Sequence, residues 1–212
     1  MMKTKEAINV RYSTLAGKCT CLSCGNAAGY GDPVAGETCL DLGSGRGKDV
    51  IRLSTLVGKE GFVYGIDISD GMLEEARRDA AQRGVENVRF IRANLESLPI
   101  TDGTVDLVVS NCTINHAEDK KRVWREIFRV LKEGGRFVVS DIYSTEEVPE
   151  RYRTDPAAVA ECWAGAVTKE SYLSTVVDAG LDELTILEES EPYPKGEIEV
   201  SSMTLFGIKP KS

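Results

Sequence analysis

The sequence carries a single histidine, His116, and nowhere an apolar run approaching the roughly 20 residues that cross a bilayer. Imidazole chemistry is confined to that one position, where the residue can act as a general base or sit as a surface or capping group. The opening stretch, MMKTKEAINV, lacks the apolar segment of a secretory signal, so a cytoplasmic location is expected. Basic charge is also short: 26 Lys and Arg stand against 34 Asp and Glu, a formal net charge of −8. A surface of that sign repels phosphates over a Debye length, so neither nucleic acid nor an acidic membrane is expected as a partner; small molecules or thiol compounds are. There is no internal repeat and no low-complexity tract. The 212 residues suit one α/β domain whose core needs no covalent staples.

What the sequence does hold is cysteine, six in all. In a reducing compartment these are expected to be ligands, nucleophiles or buried small apolar groups rather than structural disulfides. Three crowd into Cys19-x-Cys21-x-x-Cys24, within a glycine-rich, loop-like segment that has no periodicity of its own. Residues 1–37 are read as an N-terminal cysteine-bearing strap or lid, opened by a weak helical pattern over 1–17. Cys39 lies in an apolar strand, where a buried apolar role fits.

The chain is organised around Thr38 to Asp49, TCLDLGSGRGKD. Thr38 to Leu42 reads as a buried strand, and Gly43, Gly45 and Gly47 permit φ > 0 and close approach of a ligand. The helix that follows, over about 46–57, turns its free N–H groups and positive dipole end toward whatever sits over the turn. Further strands are predicted over 61–67, 87–92, 105–110, 136–143, 183–189 and 200–208, with helices over 70–83, 119–131 and 168–179. Asp70 is expected to cap the helix over 70–83 and Gly84 to end it. Strands alternating with helices imply an α/β fold, a mostly parallel sheet covered on both faces. Residues 38–143 make its core and 168–212 its C-terminal helix and strands. Between them, 144–167 is an insertion placed at the sheet edge where such folds bind ligands.

A glycine-rich turn after a first strand, with Asp67 ending the second, makes a nucleotide-type site whose carboxylate accepts from ribose hydroxyls. That much leaves NAD and S-adenosylmethionine open. The spacing here is G-x-G-x-G instead of G-x-G-x-x-G, and Asp41 stands just before the turn. An acid there offers an acceptor to an ammonium group, which favours S-adenosylmethionine over a pyrophosphate.

Together with GIDIS, the turn before ESLP, DLVVSNCTIN and RVLKEGGRFVVSDI, the DLGSGRG stretch resembles the successive motifs of class I S-adenosylmethionine-dependent methyltransferases, over residues 38–143. The resemblance implies a Rossmann-like sheet of seven strands, mostly parallel, the last antiparallel. It assigns Asp41, Gly43 and Gly45 to the methionine end of the cofactor and Asp67 to the ribose. Met72 and Leu95 fall to the faces of the adenine and Asn94 to its amino group, with Ser44, Ile68 and Asn111 as further cofactor contacts.

Three more pieces, CGN at 24–26, SNCTIN at 110–115 and ECWAGA at 161–166, resemble the arsenite methyltransferases. That resemblance implies that Cys24, Cys112 and Cys162 hold trivalent arsenic as substrate and carry its methylation, with Cys19 or Cys21 as an exchanging thiol. Ala27 stands where the family usually has proline, and the N-terminal cysteines lie closer together. Trivalent arsenic is soft, binds thiolates in a trigonal pyramid and keeps a lone pair at the open apex. Transfer from a sulfonium is then a displacement that needs proximity and orientation but no general base, once the thiols have lost their protons. Arsenite or its thiol conjugate is the expected substrate, and a thiol reductant such as glutathione or thioredoxin an expected partner. Two other readings stay open: methyl transfer to a small quinone-type carbon or oxygen nucleophile with His116 or a carboxylate as base, and a non-catalytic thiolate metal or metalloid binder, in which Cys19, Cys21 and Cys24 could hold zinc. Trp163, beside Cys162, either walls the substrate pocket or anchors the insertion.

Overall fold

The computed structural model describes residues 4–16 and 25–211. Its sheet contains β1 (Thr38–Leu42), β2 (Phe62–Asp67), β3 (Val88–Arg92), β4 (Val105–Asn111), β5 (Leu131–Ser144), β6 (Asp182–Glu189), β7 (Tyr193–Lys195) and β8 (Ile198–Ile208). The order is β3-β2-β1-β4-β5-β8-β6, with β7 paired to β8 off that path. Strands β1 to β5 pair in parallel, and β8 runs antiparallel to β5, β6 and β7. The mostly parallel sheet with one reversed strand agrees with expectation; the short eighth strand, β7, does not appear in the sequence reading. Its three residues, with Pro194 in the middle, are too few to show a period of two and suit only an edge.

The helices are α1 (Thr4–Leu15), α2 (Ala27–Tyr30), α3 (Lys48–Val57), α4 (Asp70–Gln82), α5 (Lys120–Val130), α6 (Glu150–Arg153), α7 (Pro156–Val159) and α8 (Lys169–Asp178). Among the described residues no helix is long and apolar enough to cross a membrane.

Alternation along the strands builds one core on each side of the sheet. Cys39, Leu107, Val109 and Val138 pack against Val50, Leu53 and Val57 of α3 and Leu73 and Ala76 of α4. Leu40, Leu42 and Val108 face the other layer, with Trp124 and Ile127 of α5 and Tyr172 and Val176 of α8. Trp124 meets Phe137 and Tyr172 edge-on, at ring-centroid distances of 5.1 and 5.7 Å. Each such fully buried side chain contributes about 1.5–3 kcal/mol. Cys39 is one of the core residues, and burial pushes its thiol up to about 12.

Local chemistry shifts some predicted boundaries. Ser69, not Asp70, caps α4, its hydroxyl accepting from the Met72 N–H at 3.3 Å; Asp70 is the first helical residue, placed where its charge meets the positive dipole end. Helix α3 starts at Lys48 because Gly47, at φ 74°, still belongs to the turn. Within residues 25–37, helix α2 packs against β4 and β5. Ala27 and Ala28 are buried in the α3 layer. The Arg136 guanidinium donates to the carbonyls of Gly31 and Asp32 and to the Glu37 carboxylate.

Candidate active site

The C-terminal ends of β1, β2 and β4 open onto a cavity of about 350 Å³. Asp41, Gly43, Ser44, Gly45, Asp67, Ile68, Met72, Asn94, Leu95 and Asn111 all line it, as does Cys112, and α1 adds Ile8 and Tyr12. The amides of the glycine turn are already engaged. Gly43 and Ser44 donate to the Ile66 carbonyl at 2.8 and 2.9 Å, and Gly45 donates to Asp67 Oδ2 at 2.8 Å. Ser69 N–H holds the other Asp67 oxygen at 2.8 Å. With those donors committed to β2, the turn does not present a pyrophosphate cradle; Asp41, Asp49, Asp67 and Glu96 line the cavity together with Lys5, Arg46 and Lys48. Burial pushes Asp41 well above the usual carboxylate range, with Asp49 and Asp67 adding like-charge repulsion. Asp49 and Asp67 are themselves raised, again chiefly by burial. Three crowded, desolvated acids make an environment that favours a cation. Asn111 lines this wall, but its amide ties other elements together: Oδ1 accepts from Ala27 N–H at 3.1 Å and Nδ2 donates to Asp49 at 3.0 Å.

Cys112 follows β4 directly, its N–H donating to the Ser140 carbonyl at 2.8 Å. Cys162 precedes a 3-10 turn, Trp163–Gly165, inside the insertion. Both adopt left-handed backbone, at φ 50° and 75°, a conformation that costs a non-glycine residue about 1–2 kcal/mol. The fold brings the two thiols together. Cys162 Sγ lies 3.4 Å from the Cys112 carbonyl oxygen and 3.7 Å from Asp141 Oδ1. The two sulfurs and an Asp141 oxygen all lie within 4.8 Å of one another. An apolar shell of Ile142, Val148, Val159 and Trp163 surrounds them. Asp141 Oδ1 also accepts from Asn115 Nδ2 and the Ile142 N–H, both at 2.9 Å, while Oδ2 is buried without a hydrogen-bond partner. Burial pushes this carboxyl up to about 6. Gly165 explains how the insertion docks so closely, since a Cβ there would sit 2.0 Å from the Asn115 carbonyl oxygen. Cys19, Cys21 and Cys24 lie outside the described residues. Gly25, next in sequence to Cys24, lines the cavity and packs so tightly that a Cβ would fall 2.2 Å from Ser140 Cβ.

The family profile of a methyltransferase domain matches residues 33–180. The solved structure of an arsenic(III) S-adenosylmethionine methyltransferase from Chlamydomonas reinhardtii superposes with a TM-score of 0.80 at 30% identity, covering 99% of this chain and 75% of that one. The chain belongs to the class I S-adenosylmethionine-dependent methyltransferases. An arsenite methyltransferase of Halobacterium salinarum is 37% identical to this methyltransferase over 170 residues, 80% of the chain and 44% of that protein. A ubiquinone/menaquinone biosynthesis C-methyltransferase of a Marinomonas species is 39% identical over 113 residues, 53% of the chain and 45% of that protein. The chain thus spans less than half the length of these two curated relatives.

The cavity of this methyltransferase fits the family's cofactor. Its acids answer an ammonium and a sulfonium, and the Ser44 hydroxyl is buried there without a hydrogen-bond partner. Sequence reasoning missed Tyr12 and Asp141. Tyr12 sits in a weakly amphipathic helix and its partner is far off in sequence; Asp141 gave one signal, an acid in an otherwise apolar strand. Trp163 does not line the cofactor cavity; it meets Tyr152 edge-on at 5.0 Å within the apolar cluster that holds Cys112 and Cys162. His116 is not on the surface: it is buried, and desolvation lowers it from 6.5 to about 4. The unfolded chain therefore binds a proton at His116 that the folded methyltransferase refuses, so this contribution to stability is complete above pH 6.5 and is lost as pH falls toward 4. Asp141, being raised, acts in the opposite sense. Urea midpoints of wild type and His116→Leu measured between pH 7 and pH 4.5 are expected to converge as pH falls, because only the wild type carries the His116 loss. Parallel curves would contradict it.

Proposed function

We propose that this methyltransferase transfers the methyl group of S-adenosylmethionine to trivalent arsenic held by the thiolates of Cys24, Cys112 and Cys162. The observation that carries the reading is the buried thiol pair set against a cation-favouring cavity, with Cys112 common to both. The relatives named for arsenite and arsenic(III) support it, and so does Gly25, which brings the backbone beside Cys24 to the cavity wall. Asp41 and Ser44 would hold the amino-acid end of the cofactor, Asp67 the ribose, and Met72, Leu95 and Asn94 the adenine. Bound there, S-adenosylmethionine supplies an electrophilic methyl on a sulfonium.

The protein's own work begins with substrate capture. Each thiol that joins arsenite forms an As–S bond as one As–O bond breaks, and the thiol proton leaves with the hydroxyl as water. Thiolate ligation concentrates electron density on arsenic and directs its lone pair. The thiolates of Cys24, Cys112 and Cys162 would turn that lone pair toward the methyl group that the cofactor, held by Asp41, Ser44 and Asp67, would supply. Orientation by fixed ligands is the main catalytic contribution, on the order of several kcal/mol. The apolar shell excludes water from the thiols.

A quinone-type acceptor is the second reading, favoured by the Marinomonas relative. It needs a base, and His116 is poorly placed for that role because both ring nitrogens are engaged, by Tyr12 and by the Val159 carbonyl, each at 3.0 Å. Incubation of the purified protein with arsenite, S-adenosylmethionine and a thiol reductant is expected to yield methylated arsenic, and prior thiol alkylation to abolish the yield. Turnover of an organic acceptor that survives alkylation would select the second reading instead.

A further inference from the structure

His116 lies in the 3-10 turn Ile114–His116 that follows Cys112, and its two hydrogen bonds reach different parts of the molecule. On one side Nδ1 meets the Val159 carbonyl at 3.0 Å. A carbonyl only accepts, so Nδ1 carries the proton and Nε2 accepts from the Tyr12 hydroxyl, also at 3.0 Å. The same Val159 carbonyl accepts the Cys162 N–H at 3.0 Å. A continuous hydrogen-bonded path thus runs from α1, over the cofactor cavity, through one imidazole to the loop that holds Cys162 in left-handed backbone. Helix α1 is tied at the same time to the cofactor side. Ser13 Oγ pairs with Ser69 Oγ at 3.0 Å, Asp70 N–H donates to Asn9 Oδ1 at 3.3 Å, and Arg46 Nε donates to the Ala16 carbonyl at 2.7 Å. Ser69 and Asp70 adjoin Ile68, and Arg46 belongs to the glycine turn, so α1 touches the walls against which a cofactor would press.

We propose that His116 is a positioning residue: through Tyr12 and the Val159 carbonyl it fastens the Cys162 loop to helix α1, so that the helix lining the cofactor cavity also holds Cys162 beside Cys112. The consequence for the reaction rests on the metalloid role of Cys162 proposed above; the tie itself does not. Its chemistry requires a rigid group with a donor at one end and an acceptor at the other, which neutral imidazole provides. Phenylalanine at position 12 keeps the ring but removes the donor. Because coupling is reciprocal, whatever orders the Cys162 loop must also tighten cofactor binding.

Hydrogen exchange of the full chain, with and without S-adenosylhomocysteine, reads the tie without any arsenic. In wild type S-adenosylhomocysteine is expected to slow exchange over 156–166 by about tenfold, a coupling of ordinary size. In Tyr12→Phe and His116→Leu that slowing is expected to fall below about twofold, while exchange at 62–70, beside Asp67, still slows because S-adenosylhomocysteine still binds. Arsenite titration followed by tryptophan fluorescence forms the second arm: S-adenosylhomocysteine should tighten arsenite binding in wild type by a similar factor and in neither variant. A wild-type segment 156–166 that ignores S-adenosylhomocysteine, or a Tyr12→Phe protein that responds as wild type does, overturns the proposal. Absence of any arsenite response, with the exchange pattern as expected, instead overturns the metalloid reading and leaves the tie standing.

Discussion

Serine at position 112 is expected to lower methyl transfer to arsenite by about 10³-fold or more, roughly 4 kcal/mol, while S-adenosylhomocysteine affinity stays within about twofold. The asymmetry follows from where Cys112 sits. It lines the cofactor cavity, yet the walls assigned to the cofactor belong to other residues, so exchanging sulfur for oxygen leaves the cradle intact. It does remove a soft donor from a soft centre, and a hydroxyl neither ionises at neutral pH nor holds arsenic. Cys162→Ser should lose a comparable factor, because Cys162 approaches the same point from behind, within 4.8 Å of Cys112. Product chromatography and calorimetry with S-adenosylhomocysteine measure the two quantities separately. Full activity in either variant would sink the thiolate assignment.

Alanine at position 43 is expected to strike the other half of the site, weakening S-adenosylhomocysteine binding by about 100-fold, near 2.7 kcal/mol. Gly43 has φ 72°, and a Cβ there would fall 2.1 Å from Thr113 Oγ1 and 2.3 Å from its Cγ2. No rotamer of Thr113 relieves the clash, because its Cβ would itself lie 2.6 Å away, and turning the side chain would also break its 2.9 Å hydrogen bond to the Asn111 carbonyl. The left-handed backbone adds about 1–2 kcal/mol of its own, so the melting temperature should fall by a few degrees as well. Pairing Gly43→Ala with Thr113→Gly removes all three Thr113 side-chain contacts but not the cost of the positive φ, and should recover part of the lost affinity. An unchanged affinity in the single variant would show that the turn does not shape the cofactor cavity.

Much of this architecture was legible because it is local. The run TCLDL, the glycines after it and Asp67 at the end of FVYGID each announce themselves within a few residues, and the amphipathic stripe of Val123, Trp124, Ile127 and Phe128 does the same for α5. The pairing of SNCTIN with ECWAGA was legible only through resemblance, since no periodicity relates Cys112 to a residue fifty positions later. Other features had no local signature. Helix α2 is four residues containing a glycine, β7 is three containing a proline, and the hydrogen bond of Tyr12 to His116 spans 104 positions. His116 itself was visible but ambiguous, because burial decides whether an imidazole is a base or a tie, and burial is a property of the packed chain.

The left-handed backbone at Cys112 and Cys162 sets a limit on engineering this protein for heat. A designer surveying the chain for conformational strain would find Asp32, Glu183 and these two cysteines as its positive-φ non-glycine residues among those described. Glycine substitution is the ordinary remedy, and at Asp32 or Glu183 it touches no thiol. At the cysteines the same remedy deletes the sulfur that the proposed chemistry needs. Thermostable variants recovered by selection for activity should therefore relax the first pair and retain the second, so that part of the molecule's instability is inherited with its reactivity.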